Sequence, residues 1–120
     1  DAQGWATTQM NLGVLLRELG ALQGGPEGLE TLAAARAAFE RALEVWTRAS
    51  DAQGWAMTQN NLGYLEQTIA DTSGERMAYA RAVRHYRLAL DVYDAGGDEI
   101  GRQRTLANLA EAERKLMGAR

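Results

Sequence analysis

The chain has 120 residues, 46% of them hydrophobic, and a formal net charge of −3, so it suits one compact domain or a short repeat array. Charges of both signs are mixed along it, and no apolar run reaches the roughly 20 residues of a membrane span, so we expect neither nucleic-acid nor membrane binding. The lack of cysteine excludes disulfides and thiolate metal sites. We expect a cytoplasmic protein without a cofactor.

The first predicted element lies in a segment that occurs again fifty residues later. Residues 1–15 read DAQGWATTQMNLGVL and residues 51–65 read DAQGWAMTQNNLGYL, with twelve of the fifteen positions identical. A weaker third copy begins at Asp98, 47 residues after Asp51. Such repetition is typical of a chain that stacks one supersecondary unit. We therefore predict one domain, with repeat units at 1–50 and 51–97 and a half unit at 98–120.

Each unit is predicted to begin with an amphipathic helix. In the first unit the helical stripe expected to be buried contains Trp5, Thr8, Leu12, Leu16 and Leu19. Its copy in the second unit contains Trp55, Thr58, Leu62 and Ile69. The capping-box spacing of Ser50 with Gln53, and of Thr72 with Glu75, predicts the starts of the two helices of the second unit.

A second helix follows in each complete unit. The segment LETLAAARAAFERALEVW is rich in strong helix formers, and Pro26 suits the first turn of its helix. Gly13 and Gly63 are predicted to make room for large rings, for which Phe39 and Tyr86 are available. Nothing alternates with period two, so the prediction is an all-α protein of five helices. The predicted inward positions are Leu32, Ala35, Phe39, Ala42, Leu43 and Trp46, and, 47 residues later, Tyr79, Ala82, Tyr86, Ala89, Leu90 and Tyr93.

These residues resemble the tetratricopeptide repeat, in which Leu-Gly on the first helix precedes Ala, an aromatic residue and Ala on the second. The matching sets are Leu12, Gly13, Ala35, Phe39 and Ala42, and then Leu62, Gly63, Ala82, Tyr86 and Ala89. WAMTQNNLG and ALEVWTR are similar to a long-unit bacterial subtype of the family. The resemblance implies a right-handed α-solenoid of antiparallel helix pairs with about two and a half repeats. A plain helical bundle is the alternative.

The resemblance also implies a function, because the first helices of such units line a concave groove that binds a peptide or a partner protein. The carboxylate clamp known in the family is not expected, since only Asn61 and Arg104 fit its pattern. The asparagines at 11, 61 and 108 would either pair with a peptide backbone or tie neighbouring helices together. The groove candidates are Asn11, Val14, Met57, Asn61, Tyr64, Arg104, Asn108 and Glu111.

Catalysis is not expected, because no pair of titratable residues is spaced for acid–base or nucleophilic chemistry. His85 is the single histidine and is predicted to lie on the surface. The terminal helices lack a neighbouring unit on one side, which predicts possible self-association. The alternative function is therefore a structural or self-assembling module, designed or recently duplicated, without a dedicated ligand.

Overall fold

The computed structural model describes residues 1–118, which form α-helices joined by short turns. Five helices lie in this range, namely α1 (Ala2–Gln23), α2 (Gly25–Val45), α3 (Ala52–Ser73), α4 (Met77–Gly96) and α5 (Glu99–Leu116). No strand occurs in the same residues. The predictions of an all-α protein and of five helices are thus confirmed. Helices α1, α3 and α5 are the first helices of the predicted units, and α2 and α4 are the second helices.

The starts of α1, α3 and α5 share one capping interaction. An aspartate side chain accepts a hydrogen bond from the backbone N–H of the glycine three residues later, which satisfies a free donor in the first helical turn. The pairs are Asp1 with Gly4 at 2.6 Å, Asp51 with Gly54 at 2.9 Å, and Asp98 with Gly101 at 3.0 Å.

Both capping-box predictions were wrong. The N-cap of α3 is Asp51, whereas the hydroxyl of Ser50 donates to the carbonyl of Val45 at 3.0 Å and so closes the preceding turn. Thr72 lies inside the last turn of α3, and α4 begins after Arg76 without a side-chain cap. The aspartate competes better for the free N–H groups because it sits one residue nearer the helix. Pro26 does lie in the first turn of α2, as predicted.

Two glycines set how closely the paired helices approach. A Cβ added to Gly13 would lie 2.6 Å from the ring of Phe39, and one added to Gly63 would lie 2.5 Å from the ring of Tyr86. Both distances are far below van der Waals contact, so any larger residue would push the rings away. The predicted role of these glycines is confirmed, and the two units share it.

The second helices bury the predicted face. Leu43 and Tyr79 are half-buried. Phe39 joins Leu32 and Ala35 in a cluster with Leu62 and Leu65 of α3, which links the two units. The other predicted inward residues are buried, namely Leu32, Ala35, Phe39, Ala42, Trp46, Ala82, Tyr86, Ala89, Leu90 and Tyr93.

The predicted stripe of α1 is largely exposed, and that prediction was wrong. Helix α1 contacts α2 and α3, and the residues it buries are Ala6, Gly13 and Gly20. In α3 the equivalent of Leu12 is Leu62, which is buried because α2 packs against it. Within residues 1–118 no helix plays that part for α1. Of the predicted stripe, Trp5 is 40%, Leu12 37% and Leu19 46% exposed, whereas Leu16 is half-buried against the core cluster. Leu15 and Leu22, which were not predicted to be buried, are 62% and 85% exposed.

Candidate binding groove

A polar depression lies between α3 and α5, the first helices of the second and third units. Its volume is about 350 Å³, and both helices contribute amide side chains to it. Arg104 and Glu111 give it one positive and one negative group, about two helical turns apart on α5. The lining residues are Asn60, Asn61, Tyr64, Arg104, Asn108 and Glu111.

Tyr64 connects this depression with a second one, of about 500 Å³, between α1 and α3. The guanidinium of Arg17 stacks over the Tyr64 ring at 4.3 Å from its centroid, a cation–π contact. Thr68 and Asp71 of α3 continue the same lining. The ring of Tyr64 is therefore held from one side by α1 and remains exposed on the other. We call the two depressions together the α1–α3–α5 groove.

Five of the eight predicted groove residues line the first depression, namely Asn61, Tyr64, Arg104, Asn108 and Glu111. The other three lie elsewhere. Val14 is half-buried, packs against the core cluster between α2 and α3, and lines neither depression. Asn11 is exposed on α1 and Met57 is half-buried on α3, and neither lines either depression.

Asn60, which was not predicted, is one of the residues that connect α3 to α5. Its buried Oδ1 accepts hydrogen bonds from the hydroxyl of Thr105 at 3.1 Å and from Nδ2 of Asn108 at 3.4 Å. Asn108 thus has a structural contact with Asn60, while Asn61, the next residue after Asn60, faces the depression. The signal in the sequence was the change from Met10 to Asn60 within otherwise nearly identical copies, because it adds a polar group at a site that is apolar in α1.

The end of the groove near Lys115 is a small ion-pair network. Lys115 Nζ lies 3.1 Å from Glu111 and 3.4 Å from Asp71. Burial alone would lower the pKa of Lys115, but the hydrogen bond that it donates to Glu111 and the negative charges of Asp71 and Glu111 raise this pKa. The hydroxyl of Tyr79 donates to Asp71, and burial together with this carboxylate raises the pKa of Tyr79. Both groups therefore stay protonated at neutral pH.

A buried carboxylate outside the groove joins three helices. Glu66 of α3 accepts from Arg36 of α2 at 2.6 Å and from Arg81 of α4 at 3.1 Å, and its side chain is 3% exposed. Glu66 was not predicted from the sequence to have a role. Its signal was a charge placed four residues after Leu62, within the predicted apolar stripe.

His85 is half-buried against α3, so its prediction as a surface residue was wrong. Its Nδ1 lies 2.7 Å from the side-chain oxygen of Gln59. Burial is the main cause that lowers the pKa of His85. The charge of Glu66 raises this pKa by a smaller amount, and the nearby arginines lower it. A neutral imidazole that donates to Gln59 satisfies both groups.

Comparison of the chain with family models, with curated proteins and with solved structures found no match. Among residues 1–118, no three His, Asp or Glu side chains are grouped to hold a metal ion. No helix of this part of the chain combines the length and the apolar character needed to cross a membrane.

Proposed function

We propose that the chain is a tetratricopeptide-like scaffold that binds a peptide segment of a partner protein in the α1–α3–α5 groove. The observation that carries this proposal is that Asn61, Tyr64, Arg104, Asn108 and Glu111 line one depression although they come from two helices. In the proposal the units stack as a right-handed solenoid, and the protein acts by binding, without catalysis, in the cytoplasm.

The groove chemistry suits an extended peptide. The amides of Asn61 and Asn108 both donate and accept, so they can pair with a peptide backbone whatever its side chains. The exposed ring of Tyr64 offers an apolar surface with a polar hydroxyl at its tip. Tyrosine is also enriched at binding hot spots. Arg104 favours an acidic side chain at one end. At the other end Glu111 and Asp71 share the single positive charge of Lys115, so a net negative charge remains that favours a basic side chain. We infer a peptide with an acidic and a basic residue separated by a few positions.

The test is selection from a displayed library of random peptides, with affinities of the selected peptides measured by titration. The double variant Asn61→Ala/Tyr64→Ala should bind them at least tenfold more weakly, because hot-spot truncations commonly cost about 2 kcal/mol or more. A matched control is Glu40→Ala/Glu44→Ala on the exposed face of α2, which should bind as the unchanged chain does. Equal binding by the groove variant would refute the groove assignment.

A second candidate function, self-assembly, rests on the exposed apolar face of α1. Leu12, Leu15, Leu19 and Leu22 follow each other at steps of three and four residues, the spacing of a helix-pairing seam. Leu22 of α1 corresponds to Thr72 of α3, fifty residues later. At this position the exposed face of α1 is therefore more apolar than the equivalent face of α3. A second copy of α1 is the proposed occupant, because the seam carries no charge that would repel itself.

Sedimentation velocity tests self-assembly directly. The unchanged chain should form dimers at tens to hundreds of micromolar, and Leu15→Lys/Leu22→Lys should be monomeric at the same concentration. A monomeric unchanged chain would eliminate this candidate and leave the peptide-binding proposal untouched.

A further inference from the structure

Helices α4 and α5 enclose an apolar groove that lies outside the proposed peptide site. Its volume is about 710 Å³, and its apolar lining includes Val83, Leu88, Leu116 and Met117. Its charged lining has two groups of each sign, namely Arg84, Arg87, Asp91 and Glu113, of which Arg87 and Glu113 form a salt bridge of 2.9 Å. No helix within residues 1–118 covers this groove, which we call the α4–α5 groove.

The repeat itself provides a template for what the groove can hold. Glu113 of α5 occupies the position of Glu66 in α3, 47 residues earlier. Glu66 binds one arginine from the helix before it, Arg36, and one from the helix after it, Arg81. Glu113 has the first kind of partner in Arg87, yet its side chain is 44% exposed, against 3% for Glu66. The position that Arg81 fills on Glu66 thus has no counterpart from a following helix among the described residues.

The apolar part of the template shows the same difference. Ala70, near the end of α3, is 3% exposed, whereas Met117, at the same place after α5, is 77% exposed. A helix that packed on α5 as α4 packs on α3 would cover Met117 and bring an arginine to Glu113. The charge of Glu113 and the apolar floor beside it therefore favour the same kind of occupant.

A steric difference restricts that occupant further. The ring of Tyr86 packs on Gly63, where an added Cβ would lie 2.5 Å from it. The equivalent of Gly63 in α5 is Ala110, which already has a Cβ. A ring in the same position would collide with Ala110, so a small residue must stand there instead.

We propose that the α4–α5 groove binds an amphipathic helix of a partner protein, with an arginine on Glu113 and a small residue against Ala110. In α4 the arginine at 81 precedes the ring at 86 by five residues. The partner helix accordingly carries an arginine and, five residues later, alanine, glycine or serine. Its remaining inward positions are small or apolar, as in α4.

The probe is a fluorescent peptide with the sequence of residues 77–96 and the substitution Tyr86→Ala. Anisotropy titration with the full chain should show saturable binding. The same peptide with Tyr86 retained should bind at least tenfold more weakly, because its ring meets Ala110. Adding Arg81→Gln to the probe should also weaken its binding about tenfold.

The chain variant Glu113→Gln should weaken binding of the probe that retains Arg81 by a similar factor, and it should leave binding of the probe with Arg81→Gln unaffected. Glu40→Gln, on the exposed face of α2, is the matched control and should change nothing. Circular dichroism of each variant checks that the chain remains folded. The variant Asn61→Ala/Tyr64→Ala, which alters the α1–α3–α5 groove, should bind the helical probe as the unchanged chain does. This result would separate the present proposal from the peptide-binding function.

Three results would overturn the proposal. The first is an absence of saturable binding by the probe that carries Tyr86→Ala. The second is binding that is equally strong to the Glu113→Gln variant and that increases amide hydrogen exchange in α4, since the peptide would then be replacing α4. The third is self-association of the chain that Leu116→Glu abolishes, because the occupant would then be a second copy.

Discussion

Replacing Gly63 by alanine tests the close packing that joins the two helices of the second unit. An added Cβ would lie 2.5 to 2.8 Å from three ring atoms of Tyr86. The ring cannot yield easily, because Tyr86 is fully buried and its hydroxyl donates to Gln67. The collision must therefore be relieved by moving α4 away from α3.

Two opposing effects set the size of the change in the free energy of unfolding. Alanine in a helix interior is favoured over glycine by about 1 kcal/mol. Overpacking a well-filled core typically costs about 1–3 kcal/mol. Since the contact here is with a rigid ring, we expect the upper part of that range and a net destabilisation of about 2 kcal/mol.

Urea unfolding followed by circular dichroism measures the effect, with an expected fall in the midpoint of about 1 M. The matched control is Gly96→Ala at the last residue of α4, where an added Cβ would meet no atom within 4 Å beyond the adjacent helix backbone, and where φ is not positive. It should stabilise the chain by up to about 1 kcal/mol. In a Tyr86→Leu background the cost of Gly63→Ala should shrink, because the ring is gone. A Gly63→Ala chain as stable as the unchanged protein would refute the packing argument.

Three further predictions concern titratable groups. Glu66→Ala should destabilise the chain by about 1–3 kcal/mol in urea unfolding, because it leaves the half-buried Arg36 without its carboxylate and Arg81 with Glu75 alone. The exposed Glu113→Ala should cost less than about 1 kcal/mol. Equal effects of the two variants would contradict the burial argument. The lowered pKa of His85 means that its neutral form contributes stability above the ordinary pKa of 6.5, and that this stability is lost as the pH falls below 6.5. As the pH is lowered from about 7.5 to about 5, the unfolding midpoint of His85→Gln should accordingly fall less than that of the unchanged chain. Parallel plots of midpoint against pH for the two proteins would contradict this role of His85. The N–H of Gly101, and then Gln53, lower the pKa of Asp98, so its cap contributes above the ordinary carboxyl pKa and is lost as the pH falls through the folded value. Asp98→Asn keeps a capping side chain without the titration, so its midpoint should depend less on pH below about pH 4, and an unchanged slope would sink this assignment.

Much of the fold followed from the sequence because its evidence is local or repeated. The helical period and the near-identical segments at 1–15 and 51–65 predicted five helices. The repeated glycine on the first helix and the repeated ring on the second also predicted the contacts of Gly13 and Gly63. The aspartate caps are equally local, since Asp-x-x-Gly opens all three copies of the repeat, but the capping-box spacing of Ser50 and Thr72 led to the wrong helix starts.

Periodicity determines which residues share a face of a helix, whereas burial depends on whether another helix packs on that face. For this reason Leu12 and Leu62 look equivalent in sequence and yet differ: α2 packs on Leu62, which is 4% exposed, whereas no helix of residues 1–118 packs on Leu12 in that way and it is 37% exposed. The same holds for charges: Glu66 meets arginines 30 residues before and 15 residues after it. The helices and their glycine contacts were thus determined by the sequence, while the tertiary structure decided which faces are closed and which charges meet.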